Sequence, residues 1–388
     1  MDKPGETAGH GGARSGKTYC PYCGVGCGLV ATVQAGAVTR IKGDPDHPSS
    51  RGDLCLKAVY LPEILRTPDR LIYPQVRQCQ DGLFQRVSWQ QAMTYLANRF
   101  RAIIDEHGPD AVAFYGSGQL TTEEYYLANK LAKGFIGTNN FDTNSRLCMA
   151  SAVAGYKTSL GADGPPPAYA DIDEANCMLL IGTNTADCHP VIFKRIKERK
   201  QSDPKNVTII AVDPRRTETA DFADLHLPIR PGTDIALLNS MLCVLIEANL
   251  VDQEFIARHT NGFREIENAV KKYPPHVAEK ICGVPECLIV EAALIFGMAP
   301  AALTFWSMGV NQSSAGVQKN NAIINPGDGS GRQAGFGPVF LDRPAQRDGR
   351  AGGRRVVAHA ARLSQRARSR SSRRSRTVLG RAGGEDRP

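Results

Sequence analysis

Four cysteines near the amino terminus carry the densest chemistry of the 388-residue chain: Cys20, Cys23 and Cys27 in TYCPYCGVGCGL, then Cys55 in LCLK. Four thiolates suit a [4Fe-4S] cube, one per iron. The short spacings let one loop wrap three corners, and Gly24, Gly26 and Gly28 let its backbone approach and aim amides at the sulfides. Zinc is the competing ligand. A structural zinc ion usually takes two separated cysteine pairs, whereas three crowded cysteines and a distant fourth favour the cube. Cys79, Cys177, Cys188, Cys243, Cys282 and Cys287 have no ligand spacing and read as ordinary thiols, and Cys148, taken alone, reads as a buried core thiol.

A second kind of chemistry is suggested by turns that open helices. Gly116-Ser117-Gly118-Gln119 and Gly182-Thr183-Asn184-Thr185 each follow an apolar run, where helix-start amides can hold a phosphate. As bare sequences they fit simple chain reversal equally well. Asp213-Pro214-Arg215-Arg216-Thr217 ends another apolar run, where an acid can bind a nucleotide edge and an arginine a phosphate. The two arginines read alternatively as a solvated pair.

Regular elements must position these groups. Ser88 and Gln91 form a capping-box pattern before Ala92, Leu96, Phe100 and Ile103, predicting a helix that stops at Gly108. Ala111 to Tyr115 suits a buried strand, followed by a helix capped by Thr121 or Thr122 and running to Phe135. Cys177 to Ile181, an amphipathic helix to about Lys200, and Val207 to Asp213 make a βαβ unit, hence a parallel sheet. Further helices are predicted from Thr233 or Asp234 to Ala248 and from Pro285 to Phe296, with a strand at Leu303 to Trp306 before a turn at Met308-Gly309.

Bulk properties narrow the classes. The length calls for more than one core. With 42% hydrophobic and 22% charged residues the composition is that of an ordinary globular chain, and no apolar run approaches the ~20 residues of a membrane span. The net charge of +8 is local: residues 326–388 hold 15 Arg, no Lys and 5 acids, leaving 32 basic and 34 acidic residues in 1–325. The body therefore offers no electrostatic attraction for nucleic acid. The opening MDKPGETAGHGGARSGK has neither the apolar core nor the paired arginines of an export signal, which points to the cytoplasm.

The strings TYCPYCGVGCGL, IKGDPDHPSSRGDLCLK and LRTPDRLIYP, with NSRLCMASAVAGYKTSLGADGPPPAYADI at Asn144 to Ile172, resemble the bis-molybdopterin guanine dinucleotide oxidoreductases, the group of nitrate reductases and formate dehydrogenases. The likeness covers residues 18–325. It implies an α/β protein with a small N-terminal [4Fe-4S] domain followed by Rossmann-like parallel-sheet molybdopterin domains, here incomplete. The implied cofactors are a [4Fe-4S] cluster on Cys20, Cys23, Cys27 and Cys55, and Mo-bis-molybdopterin guanine dinucleotide with Cys148 as metal ligand. A soft thiolate suits such a sulfur-held metal. Lys57 would lie between cluster and pterin, where a cation favours the reduced cluster; otherwise it is a solvated lysine.

Cofactor contacts implied by the resemblance are Gly116, Ser117, Gly118, Gln119 and Asn144 in the first part of the chain, and Gly182, Thr183, Asn184, Asp213 and Arg215 in the βαβ unit. Gly232, Thr233 and Asp234 match the family's PGTD turn, while Met308, Gly309 and Gln312 belong to MGVNQ near the pterin. His189 stands where the family starts a helix, a place equally suited to a structural histidine. Formate dehydrogenases of this group place histidine after the metal-binding cysteine or selenocysteine; here Met149 follows Cys148. Lack of a proton acceptor suits oxygen-atom transfer, so the resemblance implies two-electron reduction of nitrate to nitrite in nitrate assimilation. Formate dehydrogenase alpha subunit is the first alternative, and an inactive fragment binding only the cluster the second. Ferredoxin, flavodoxin or an NADH-dependent flavoprotein subunit would supply electrons; neither nucleic acid nor membrane is an expected partner.

After Asn325 the pattern breaks into Gly, Arg, Ser and Pro. GPVFLDRPAQRDG at Gly337 to Gly349, back-translated with one permissible codon set and read one nucleotide later, gives GPFSLTGQPNAMG, the continuation expected in nitrate reductases. Arginine without lysine also agrees with a shifted GC-rich frame; a genuine Arg-rich disordered tail is the alternative. The expected organisation is a disordered start at 1–14, a [4Fe-4S] domain at 15–70, truncated molybdopterin domains at 71–325 and a frameshifted, disordered tail at 326–388.

Overall fold

The computed structural model describes residues 12–163 and 167–329, with side chains to Asn325. The expectations for residues 1–11 and for the tail past 329 lie outside the described residues. The chain forms two compact units that meet in sequence between Leu147 and Cys148. Residues 71–147 fall in the same compact unit as the cysteine-rich segment.

In the first unit, β1 (Arg14–Tyr19), β2 (Gly28–Gln34) and β3 (Ala37–Gly43) form an antiparallel sheet in that order. Tyr19 pairs with Gly28, so residues 20–27, with three of the four cysteines, are the loop of the β1–β2 hairpin. The Cys20 amide donates to the Cys27 carbonyl at 2.9 Å and closes it. Ala35 and Gly36, at φ 48° and 77°, make the two-residue turn between β2 and β3, whose positive φ angles match the strand twist. Residues 44–55 then fold back over the hairpin. Asp44 pairs with Lys17 at 3.0 Å, the Gly28 amide donates to Ser50 Oγ at 3.1 Å, and a Cβ on Gly28 would lie 2.4 Å from the His47 ring. Only glycine fits there. The segment ends at Cys55, directly before α1 (Leu56–Val59) and α2 (Leu61–Arg66).

A small pair, β4 (Gln75–Val76) and β5 (Gln85–Arg86), precedes α3 (Trp89–His107). The helix starts as predicted: Ser88 Oγ accepts from the Gln91 amide at 3.2 Å and Gln91 Oε1 from the Ser88 amide at 2.8 Å. It ends at Gly108, φ 83°. The strand expected at Ala111 to Tyr115 is instead β6 (Phe114–Gly116), parallel to β7 (Phe141–Thr143). Ala111 instead ends a 3-10 turn, Pro109–Ala111, fixed by Thr138 Oγ1 and Asn140 Nδ2 donating to Asp110. Between them α4 (Thr122–Asn129) starts from a Thr121–Glu124 capping box and runs into a π-helical segment, Lys130–Ile136. The short α5 (Ser145–Cys148) follows β7.

The second unit opens with α6 (Ala150–Leu160) and is built on a parallel sheet. β8 (Cys177–Ile181), α7 (Thr185–Cys188), α8 (Pro190–Ser202) and β9 (Thr208–Val212) form the expected βαβ unit. Then come α9 (Glu218–Phe222), β10 (Leu225–Leu227), α10 (Asp234–Glu247), α11 (Gln253–His259), α12 (Phe263–Val270), α13 (Pro275–Cys282) and α14 (Glu286–Met298). β11 (Ala302–Trp306), α15 (Met308–Asn311) and α16 (Gly316–Gly329) complete it. The strand order is β10-β9-β8-β11. Every residue of β8 and β11 is buried, as a parallel sheet covered on both faces requires. Its core includes Leu179, Ile210, Leu237, Ile289 and Trp306. Among the described residues no single helix is long and apolar enough to cross a membrane.

Candidate metal and cofactor sites

The hairpin loop and the segment strapped over it gather all four amino-terminal cysteines. Cys27 is buried, and Cys20, Cys23 and Cys55 are half-buried. Burial first, then the charges of Cys23, Cys20 and Cys55, push the Cys27 thiol up to about 11. Burial also raises Cys20, against an opposing hydrogen bond from the Tyr22 amide. Four thiols that feel one another this way become thiolates together only against a shared cation. Among the described residues no three His, Cys, Asp or Glu side chains converge as a single metal ion needs. The set is gathered yet open, and a Cβ at Gly24 or Gly26 would meet nothing within 4 Å. That arrangement fits a multi-iron cube, whose ligands stand at separate corners. Lys57, exposed on α1, lies near enough for its charge to favour ionised Cys20.

The turn after β6 is the other candidate in this unit. Ser117 Oγ accepts from the Gln119 amide at 3.2 Å, and the Tyr125 hydroxyl donates to the Ser117 carbonyl. A Cβ on Gly118 would lie 2.8 Å from Asn144 Oδ1, and the Asn144 amide donates to the Gly116 carbonyl at 3.2 Å. Gly116, Ser117, Gly118 and Asn144 thus share one place. The Gln119 side chain turns to the cysteine loop, donating to the carbonyls of Pro21 at 2.6 Å and Tyr22 at 2.5 Å.

In the second unit the chain leaves β8 for β9 on one side and returns to β11 on the other. The carboxyl ends of β8 and β11 therefore flank a topological switch point, where open α/β sheets bind ligands. Ser307 Oγ and the Gly309 amide both donate to the Gly182 carbonyl, at 3.2 and 3.1 Å. A Cβ on Gly182, φ 56°, would meet the Gly309 carbonyl carbon at 3.0 Å, and one on Gly309 would lie 2.7 Å from Gly182 O. Backbone meets backbone, and both positions require glycine. Cys148 belongs to this place: its half-buried thiol donates to Met308 Sδ at 3.6 Å. Asn311, 6% exposed, has a side-chain nitrogen with no protein partner. Such a donor is costly unless a ligand takes it, which fits a polar cofactor beside Met308. Gln312 is exposed at the end of α15. The expected turn at Met308-Gly309 is this short helix.

Other candidates are committed internally. Thr183 and Thr185 hydroxyls bond each other at 3.0 Å. Asn184 donates to Asp187 and accepts from Thr219. Asp213 Oδ1 accepts the Arg215 amide at 2.8 Å, Arg215 is exposed, and Arg216 pairs with Asp221. Gly232 turns at φ 87°, Thr233 Oγ1 donates to the Arg230 carbonyl at 2.6 Å, and the Asp234 carboxylate is buried on Lys319 at 2.6 Å. Asp234 therefore ties α10 to α16. Met149 precedes α6 and packs against the core. His189 ends α7 and caps α8. Asn311 belongs to the MGVNQ string, within which its buried, unpaired nitrogen singles it out.

Two family models match the chain: the molybdopterin oxidoreductase Fe4S4 domain over residues 13–66, and molybdopterin oxidoreductase over 70–367, a match that continues past Asn325. The chain is 46% identical to a nitrate reductase of Synechocystis over 80% of its own length and 44% of the relative's. It is also 46% identical to the periplasmic nitrate reductase of Desulfovibrio desulfuricans over 80% of this chain and 42% of that one. It is 39% identical to the F420-dependent formate dehydrogenase subunit alpha of Methanocaldococcus jannaschii over 79% and 44%. The structure of acetylene hydratase from Pelobacter acetylenicus superposes with a TM-score of 0.70 at 26% identity, over 81% of this chain and 43% of that one. The chain spans less than half the length of these relatives.

Proposed function

This chain belongs to the molybdopterin oxidoreductase family, and we propose that it is part of a nitrate reductase catalytic subunit. The family's domains bring a [4Fe-4S] cluster and molybdenum-molybdopterin. Assigned to this chain, Cys20, Cys23, Cys27 and Cys55 hold the cluster, and Cys148 binds the metal, losing its proton as it does so. The turns at Gly182 and Met308, with Asp213 and the Asn311 amide, cradle the guanine nucleotide form of the cofactor. When bound, the molybdenum centre supplies oxygen-atom transfer, and the cluster supplies electrons one at a time. Nitrate takes two electrons and two protons and gives nitrite and water.

The observation that carries the substrate is what surrounds the Cys148 sulfur. Its neighbour in space is the Met308 thioether, and the next residue, Met149, packs against the core. Neither can accept a proton, so this part of the site suits a substrate whose reaction breaks no C–H bond. The identities to nitrate reductases support the same reading. Formate oxidation is the second reading, favoured by the 39% identity to formate dehydrogenase subunits. We place the protein in the cytoplasm, in nitrate assimilation, with a ferredoxin, flavodoxin or NADH-dependent flavoprotein as donor.

Reduced viologen should drive nitrite formation by protein expressed with the reading frame restored past Asn325. Viologen reduction with formate, and none of its oxidation with nitrate, overturns the assignment. Iron without molybdenum in the purified 388-residue chain would identify that form as a cluster-binding piece.

A further inference from the structure

Hydrogen bonds in the first unit run from the turn after β6 to the loop between Cys20 and Cys23. The Gln119 side-chain nitrogen donates to the Pro21 carbonyl at 2.6 Å and the Tyr22 carbonyl at 2.5 Å. The peptide that carries the Pro21 carbonyl also carries the Tyr22 amide, which favours the ionised Cys20 sulfur. Gln119 is 98 residues from Pro21 in sequence, so this is tertiary structure and not part of the loop's own turn. Its backbone is pinned: the Gln119 amide donates to Ser117 Oγ, the Tyr125 hydroxyl holds the Ser117 carbonyl, and Asn144 leaves no room for a side chain at Gly118.

We propose that Gln119 is a positioning residue for the cluster, raising its reduction potential by polarising the Pro21–Tyr22 and Tyr22–Cys23 peptides, which link two of its cysteine ligands. Hydrogen bonds in series strengthen one another. An amide proton on a cluster sulfur stabilises the reduced, more negative state, one of the levers that set cluster potential. The second bond, to the Tyr22 carbonyl, acts in the same sense on the following peptide, whose nitrogen is that of Cys23. The inference rests on the cluster assignment above and adds to it a residue outside the cysteine motif.

The test uses the full 388-residue chain, reconstituted anaerobically with ferrous iron and sulfide. Iron content, resonance Raman Fe–S bands and a redox titration followed by electron paramagnetic resonance are measured for wild type, Gln119→Leu and Gln119→Met. Leucine removes both donors, and methionine keeps the length of the side chain without donors or charge. Both variants should bind as much iron as wild type and titrate at lower potential. For Gln119→Leu the oxidised-to-reduced ratio at the wild-type midpoint should rise roughly threefold, about 28 mV for a one-electron couple. A wild-type potential in a loaded Gln119→Leu overturns the proposal. If that variant does not load, Gln119→Met decides on the same criterion, and failure of both to load makes Gln119 a purely structural tie and also overturns it. A wild-type chain that forms no cluster refutes the cluster assignment, a different outcome from an unchanged potential.

Discussion

Replacing Gly182 with alanine measures how tightly the two turns at the switch point are built. Two penalties combine. At φ 56° an L-residue sits in the left-handed region, which costs about 1–2 kcal/mol. The added Cβ would also stand 3.0 Å from the Gly309 carbonyl carbon and the Val310 nitrogen. These are backbone atoms that cannot rotate away, and overpacking of this kind typically adds about 1–3 kcal/mol. Gly161, at φ 78° with nothing within 4 Å of its would-be Cβ, isolates the first penalty within the same unit. Gly161→Ala should therefore cost about 1 kcal/mol and Gly182→Ala about 3 kcal/mol. For a unit of this size that is a fall in Tm of roughly 2–4 °C against 6–12 °C, followed by circular dichroism. Equal losses in the two variants would refute the reasoning, because they would mean that the turns do not touch.

Three further outcomes are expected. Lys319→Met should cost about 3–5 kcal/mol by leaving the Asp234 carboxylate buried without its cation, while Asp234→Leu with Lys319→Met should recover most of that loss in the same melts. In the metal-free chain, Cys27 keeps its proton to about pH 11 when folded, against an ordinary value of 9.0. Above pH 9 the unfolded chain therefore gives up protons that the folded chain retains, and Cys27 contributes a loss of stability as pH rises from 9 to 11. The urea midpoint of wild type should therefore fall relative to that of Cys27→Ala as pH rises across that range, and parallel curves would contradict the assignment. Transcript sequencing across the codons for Ile324 to Gly329 should reveal an interrupted frame; a single uninterrupted frame would restore the arginine-rich tail as genuine.

Much of the architecture is legible where short-range chemistry decides it. Ser88 with Gln91 and Thr121 with Glu124 announce two helix starts, since a capping box is written in four consecutive residues. The apolar runs of β8, β9 and β11 announce buried parallel strands. The hairpin is less visible because every residue of β1, RSGKTY, is exposed and shows no alternation. Its strand character comes from pairing with β2. Partners distant in sequence are equally silent: nothing near Asp234 points to Lys319, and nothing near Gln119 points to Pro21. The same reason hides the ties between the turn after β6 and the cysteine loop, which span nearly a hundred positions.

The bond between Ser307 and Gly182 joins residues 125 apart in sequence, and this fixes when the pocket can come into being. β11 is the last strand of its sheet to leave the ribosome, yet it lies beside β8, the first. A growing chain that has made β8, β9 and β10 still lacks one wall of the crevice. Bringing that wall in requires closing a long loop, an entropic cost met late in folding. Insertion of a molybdopterin cofactor there is therefore expected only after synthesis has passed Gln312, by a chain whose sheet is already complete.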